Sequence, residues 1–287
     1  MLDHAPRFDA DSAAQLARDL YGLDGRATAL SSERDQNFLL ATTTGDRVVL
    51  KIANALEDRS VIVAQQQVMS HLASTFDIVP RVIPTVSGET ITDIIAADGR
   101  HHLAWAVTHV PGVPLATSAR RTPALFETFG RRIGELSKGL SDFDHPAIHR
   151  AFHWDLAKGR EVIDTYRSLI DDPQLGATID VLLARFDREV APLLPALRRS
   201  ALHNDLNDHN VLVGGGDDLY SRDQRIVGIV DFGDMVFSYT IGDLAIAAAY
   251  AILGVCHPER AQRVEGSAPC HPERAQRVEG SAPCHPE

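Results

Sequence analysis

A chain of 287 residues with 44% hydrophobic residues can bury a large core and is long enough for two lobes. Its formal net charge of −11 argues against nucleic acid or an anionic membrane as the main partner, because both favour basic surfaces. An acidic balance is compatible with a cationic substrate.

The opening stretch MLDHAPRFDADSA carries early acids and no apolar core, so it lacks the form of a secretory signal. Residues 10–21 then show helical apolar spacing, with Asp11 or Ser12 expected as N-cap. QNFLLATTTGDRVVLKIA (36–53) reads as two strands around a glycine-containing turn. Residues 56–74 form an amphipathic helix with Val61, Ala64, Val68, Met69 and Leu72 on or near one face. Strand signals return at PRVIPTV and HLAWAVTHV, and PGVPL (111–115) breaks the pattern.

Beyond that break helices dominate. PALFETFGRRIGELSKGL (123–140) and TIDVLLARFDREVAPLL (178–194) are both amphipathic, and a polar, His-rich connection between them leads into another helix. Two short strands, NVLVG and QRIVGIVDF, precede an apolar helix, IGDLAIAAAYAILG. Its most apolar run, 244–255, is too short to span a bilayer and is expected to be a buried helix. A soluble, cytoplasmic protein follows. A small strand-rich lobe followed by a larger helical lobe is an α+β arrangement, with the hinge near residues 108–114.

From Cys256 the chain reads CHPERAQRVEGSAP twice without a change and then begins again with CHPE. The unit has no apolar face to bury and cannot offset the entropy of ordering itself, so a disordered tail is expected over 255–287. All three cysteines, Cys256, Cys270 and Cys284, fall here, and their spacing does not suit structural zinc. Two units identical at every position look like translated repetitive DNA, which the gene sequence would test.

The chemistry gathers in ALHNDLNDHNVLV, where His203, Asp205 and Asn210 stand in the spacing H-x-D-x-x-x-x-N. Asp231, Phe232 and Gly233 end the next apolar strand, and Lys51 sits inside the apolar strand VVLKI of the small lobe. Taken singly, a strand Lys is usually a snorkelling surface residue, and Asp-Phe-Gly is often only a turn. In this order and context they match the phosphoryl-transfer layout of the kinase fold. Moving a γ-phosphoryl group needs charge neutralisation, so a Lys on the phosphates and a carboxylate on Mg²⁺ work together. Asp205 would receive or orient an acceptor hydroxyl. Asn210 and Asp231 supply the hard oxygens that suit Mg²⁺. His203 is expected to brace the loop through backbone groups near the D-F-G turn. Asp208 and His209 have no assigned role, and His145, His149 and His153 read as loop residues.

SERDQNFLL, HNDLNDHNVLV and IVDFGDMVFSYTIGDLA resemble the aminoglycoside phosphotransferase and choline kinase superfamily over roughly residues 8–254. Within it they are most similar to hydroxylysine kinase and to the kinase-like domain fused to class III aminotransferases. Asn204 stands where protein kinases place Arg, and no A-P-E segment follows D-F-G. The resemblance implies a two-lobed protein-kinase-like fold: an N-lobe over 1–110 that binds nucleotide and a helical catalytic lobe over 111–254. It implies Lys51 on the nucleotide phosphates, Asp205 as catalytic carboxylate, and Asn210 with Asp231 on Mg²⁺. The loop 31–37 would cover the phosphates through backbone N–H groups, and backbone near Thr108 and Val110 would meet the purine of ATP or GTP. Asp243 would brace the metal-side loop.

Two departures stand out. The helix partner of the strand Lys is normally Glu, and here the position falls at Gln65, which can orient Lys51 only by a neutral hydrogen bond. The family also continues with further helices where this chain enters its repeats, so a truncated helical lobe with impaired activity is expected. The leading expectation is a kinase acting on a hydroxyl of an amino alcohol or hydroxy-amino acid, hydroxylysine first, with choline, ethanolamine, homoserine or an aminoglycoside as other acceptors. The alternatives are a non-catalytic module associated with a class III aminotransferase, and a decayed fragment without a stable fold.

Overall fold

The computed structural model describes residues 4–256 apart from Glu33, Ala119 and Leu219. The repeats from residue 257 onward, and with them the expectation of a disordered tail, lie outside the described residues. Helix α1 (Ala10–Tyr21) leads into β1 (Gly25–Leu30), β2 (Gln36–Thr42) and β3 (Arg47–Ile52), and α2 (Arg59–Leu72) follows. Then come β4 (Val82–Ile83), β5 (Thr92–Ile95) and β6 (His101–Thr108). These strands form one antiparallel sheet in the order β1-β2-β3-β6-β4, with β5 also on β6. The N-cap of α1 is Asp9, not Asp11 or Ser12: its carboxylate accepts the Ser12 N–H at 2.8 Å.

Past the break come β7 (Val113–Pro114), α3 (Pro123–Gly139), α4 (Gly159–Tyr166), α5 (Pro173–Glu189) and β8 (Arg199–Leu202). Strands β9 (Val211–Gly214), β10 (Arg225–Ile229) and β11 (Val236–Tyr239) follow, then α6 (Gly242–Cys256). β10, β9 and β7 make a second sheet, and β11 pairs with β8. The architecture is α+β, a sheet lobe beside a helical lobe. Helix α5 starts earlier than its apolar spacing suggests, because Asp172 caps the N–H groups of Gln174 and Leu175 and Pro173 takes the first turn.

Two cores hold the molecule. One, with Phe38, Leu40, Leu50 and Ile52, seats α1 on the sheet. The other runs from Val68 and Leu72 on α2 through Leu125, Ile133 and Leu136 on α3 to Val211, Ile229 and Phe232 beside the site. This second core crosses between the lobes, so the strands beside the candidate site are tied through α3 to helix α2 of the sheet lobe. Helices α4 and α5 are different: α4 buries no residue and α5 only Gly176. Leu169, Val181, Leu182 and Leu193 are exposed there. Between α3 and α6 lies an apolar groove of about 360 Å³ lined by Phe126, Phe129, Ile133, Leu244 and Ile252 among others. The buried helix expected at 244–255 is therefore covered on one side only: Ala247 is buried, while Leu244, Tyr250 and Ile252 are exposed.

Candidate active site

Lys51 is placed by β3, whose alternation buries Val48 and Leu50 on the α1 side of the sheet. Its ammonium reaches Asp231 Oδ1 at 3.4 Å and lies 5.1 Å from the centre of the Trp105 ring. Asp231 follows β10 directly and takes a left-handed φ of 66°, which turns its half-exposed carboxylate back toward the sheet lobe. The Lys51 ammonium holds the Asp231 carboxyl below the usual carboxylate range, against the opposing effect of desolvation.

Asn210 immediately precedes β9 and sits beside the end of β10, since its backbone carbonyl accepts the Val230 N–H at 2.9 Å. Its amide nitrogen donates to Asp205 Oδ2 at 2.7 Å and to the Asp205 carbonyl at 3.0 Å. That turns the amide oxygen away from Asp205. Asn207 donates to the other carboxylate oxygen, Oδ1, at 2.8 Å. Burial, with help from Asp234 and Asp231, pushes the Asp205 carboxyl up despite these two hydrogen bonds.

Beneath this loop His203 is fully buried. Its Nδ1 accepts the Asp205 N–H at 3.2 Å, which leaves Nε2–H to donate to the Val230 carbonyl at 3.1 Å. Phe232 packs against the ring at 4.7 Å. His203 is thus a neutral brace between the two catalytic segments, as its sequence position suggested. Asp243, at the start of α6, accepts the N–H groups of His203 at 3.1 Å and Asn204 at 2.8 Å. Asn204 is left-handed at φ 66°, and its Oδ1 is buried without a hydrogen-bond partner.

His203 and Asp243 titrate in opposition. Burial lowers the His203 imidazole from 6.5 to about 4 and raises the Asp243 carboxyl from 3.8 to about 6. As pH falls from 6.5 toward 4 the unfolded His203 takes a proton and the folded one does not, so stability is lost. Over nearly the same window folded Asp243 takes its proton first, so stability is gained. At about 1.4 kcal/mol per pK unit each effect is on the order of 3 kcal/mol, and the two nearly cancel. Asp243→Asn should therefore lose about 2 kcal/mol between pH 7 and pH 4.5 relative to the parent, since that window covers most of the interval over which folded Asp243 alone takes its proton. Urea unfolding at both pH values measures this, and a variant that tracks the parent would show that the Asp243 carboxyl is not raised by burial.

The structure brings Lys51, Asp231, Asn210 and Asp205 together. Gln65 is buried on α2, but no hydrogen bond joins it to Lys51 among the described residues; the partner of Lys51 is Asp231. Thr108 and Val110 lie at the end of β6, where the Thr108 N–H donates to the Arg81 carbonyl and its hydroxyl accepts the Arg81 N–H. Asp208 has a structural role missed in the sequence: an ion pair with Arg121 at 3.0 Å, both side chains largely buried, ties the loop to the segment after β7. His145 caps a short turn through Ala147, and His149 pairs with Asp144. Also unforeseen are Arg34, paired with Asp234 at 2.8 Å, and Arg150, which donates to the carbonyls of Gly233 and Met235. Distant partners of this kind leave no local pattern in sequence.

Among the described residues no three His, Cys, Asp or Glu side chains converge as a metal site. The donor set beside Lys51 instead offers one carboxylate and one amide. Asp231 uses only Oδ1 in its contacts with Lys51 and Gly233, and the Asn210 amide oxygen has no protein partner among the described residues. Two hard oxygens on adjoining strand ends fit Mg²⁺.

The model of the phosphotransferase enzyme family matches residues 26–275 of this chain. The chain belongs to that family. Hydroxylysine kinase of Mus musculus is 30% identical over 275 residues, covering 88% of this chain and 72% of the mouse protein. Two solved kinases share the fold of this phosphotransferase. Amicoumacin kinase hAmiN, solved with AMP-PNP, Ca²⁺ and Ami, has a TM-score of 0.64 at 18% identity, over 91% of this chain and 79% of its own. The microcompartment-associated aminopropanol kinase has a TM-score of 0.58 at 19% identity, over 88% of this chain and 78% of its own. The chain is thus a kinase-like phosphotransferase, and no helix among its described residues is long and apolar enough to cross a membrane.

Proposed function

We propose that this phosphotransferase moves the γ-phosphoryl group of ATP or GTP to a hydroxyl of an amino alcohol or hydroxy-amino acid, hydroxylysine first among them. The observation that carries the proposal is the meeting of Lys51 and Asp231 across the cleft beside the Asp205–Asn210 pair. Lys51 neutralises the phosphates, and Asn210 with Asp231 would hold Mg²⁺, which supplies charge compensation on the phosphate oxygens. The Thr108 carbonyl and the Val110 backbone face the purine edge, with Gln65 behind Lys51. Residues 1–110 then act as the nucleotide lobe and 111–254 as the catalytic lobe, in a cytoplasmic protein.

In the transfer, Asp205 accepts a hydrogen bond from the acceptor hydroxyl. The acceptor oxygen bonds to the γ-phosphorus, the bond to the bridging oxygen breaks, the nucleoside diphosphate leaves, and the hydroxyl proton passes to Asp205. An amine beside the hydroxyl agrees with the names of the related hydroxylysine and aminopropanol kinases.

Release of nucleoside diphosphate over a panel of amino alcohols, with Asp205→Ala as control, tests the reading. Acceptor-dependent release by the parent and none by the control is expected; no release with any acceptor would refute it. A second reading, a nucleotide-binding module that transfers nothing and works beside a class III aminotransferase, is favoured by the neutral Gln65, which makes no hydrogen bond to Lys51 among the described residues. In that case Mg-nucleotide raises the melting temperature while diphosphate release stays at background.

A further inference from the structure

Two cations of the sheet lobe rest on two carboxylates of one loop: Lys51 on Asp231, and Arg34 on Asp234. The first pair belongs to the site described above. The second has the same construction and no assigned role. Arg34 lies two residues before β2, where Asn37 lies opposite Lys51 in the ladder, so the two cations approach the cleft from β3 and from the segment leading into its neighbour β2.

We propose that Arg34 is a phosphate-binding residue, whose guanidinium exchanges Asp234 for the terminal phosphate when a nucleoside triphosphate binds. This rests on the phosphoryl-transfer reading and adds to it a residue that distinguishes triphosphate from diphosphate. A guanidinium suits the task because it offers two parallel N–H donors to phosphate oxygens.

The surroundings permit the exchange. The backbone of the segment is already anchored: Asn54 donates its side-chain amide to the Arg34 carbonyl at 3.2 Å and its N–H to Asp35 Oδ1 at 2.9 Å. Only the side chain must turn. Its one hydrogen bond among the described residues is to Asp234, in a pair whose side chains are 41% and 20% exposed, and such pairs are weak. Asp234 is not left bare when Arg34 departs. Arg150 stays beside it, pinned at 2.7 Å to the Gly233 carbonyl and at 3.2 Å to the Met235 carbonyl and packed over Phe152. The blander account is an interlobe ion pair that merely steadies the closed cleft. The two accounts differ in sign. For a steadying pair, removing either partner weakens nucleotide binding. For a competitor, removing Asp234 frees Arg34 and tightens it.

The test is calorimetric titration of Mg-AMP-PNP and Mg-ADP into the parent, Arg34→Gln, Arg34→Lys and Asp234→Asn. ADP lacks the terminal phosphate, so its affinity reports that each variant is folded with an intact site. Arg34→Gln is expected to weaken AMP-PNP by about tenfold relative to ADP, the scale of one charge-assisted hydrogen-bonded contact. Arg34→Lys should lose less, and Asp234→Asn should tighten AMP-PNP several-fold. An unchanged AMP-PNP to ADP ratio in Arg34→Gln, or weakening by Asp234→Asn, overturns the proposal while the nucleotide site stands. Where the parent prefers guanine nucleotides, Mg-GMP-PNP and Mg-GDP serve as the pair; if it binds neither pair, the phosphoryl-transfer reading falls and this proposal with it.

Discussion

Asp205→Asn should bind Mg-nucleotide with near-parental affinity and lower phosphoryl transfer by roughly 10²–10⁴-fold. The carboxylate touches neither Lys51 nor Asp231, so the nucleotide side keeps its groups. What disappears is the acceptor of the hydroxyl proton. The substitution also has a structural cost. Both Asp205 oxygens receive amide N–H groups, one from Asn207 and one from Asn210, so an asparagine must set its own NH₂ against one of them. A donor left facing a donor costs about 1–3 kcal/mol, and Asp205→Ala, which sets no donor against Asn207 or Asn210 and keeps the Asn210 bond to the backbone carbonyl of residue 205, separates this cost from the chemistry. Single-turnover transfer and nucleotide titration on both variants decide the matter. Transfer within a few-fold of the parent would remove Asp205 from its role.

Asp231→Ala should abolish the Mg²⁺-dependent part of nucleotide affinity, a loss on the order of 100-fold, because Asn210 alone cannot compete with water for a hard cation. Lys51 loses its carboxylate in the same step. Position 231 is left-handed, a conformation that costs a non-glycine residue about 1–2 kcal/mol. Asp231→Gly accordingly serves as the control that relieves the backbone while still deleting the carboxylate. Titrations with and without Mg²⁺ should show both variants equally indifferent to the metal. If either keeps the parental Mg²⁺ dependence, the metal is held elsewhere.

The chemistry-bearing residues were legible because their spacing is short and strict. Asp205 and Asn210 lie in one loop, Asp231 closes a strand, and Lys51 interrupts an apolar one. Helices α1, α2 and α3 were legible from apolar periodicity, though the buried face of α2 takes Ile62, Gln65 and Gln66 beside Ala64, Val68, Met69 and Leu72 and leaves the expected Val61 half-buried. Strand β1 was not, since GRATAL lies at the sheet edge and buries only Ala27, leaving too little apolar alternation to register. β8 and β11 are short strands whose pairing depends on a distant partner rather than on their own pattern. The same limit hid Arg34 and Asp234, each unremarkable until the fold sets one on the other. The Gln65 contact failed for a related reason. Helical position alone does not decide whether Lys51 finds an amide on α2 or the nearer charge of Asp231.

Helices α4 and α5 have little behind them. The ion pairs between them, Arg167 with Asp180 and Arg160 with Asp187, contribute little to stability, and the apolar stripe Ile179, Leu183 and Phe186 of α5 is only half-buried. The interlobe core that holds Phe232 and Val211 does not extend to them. Residues 156–197 should then open as a unit of their own, well before the rest of the chain unfolds. Their amides should exchange with deuterium within the earliest time points, while those of β3, β6 and β9 persist. A protease given the native protein should nick this segment first, and the two fragments should remain associated until denaturant is added. The strands that carry the candidate site would thus survive damage to the helices nearest them in sequence, because their support comes from the core shared with α2 and α3.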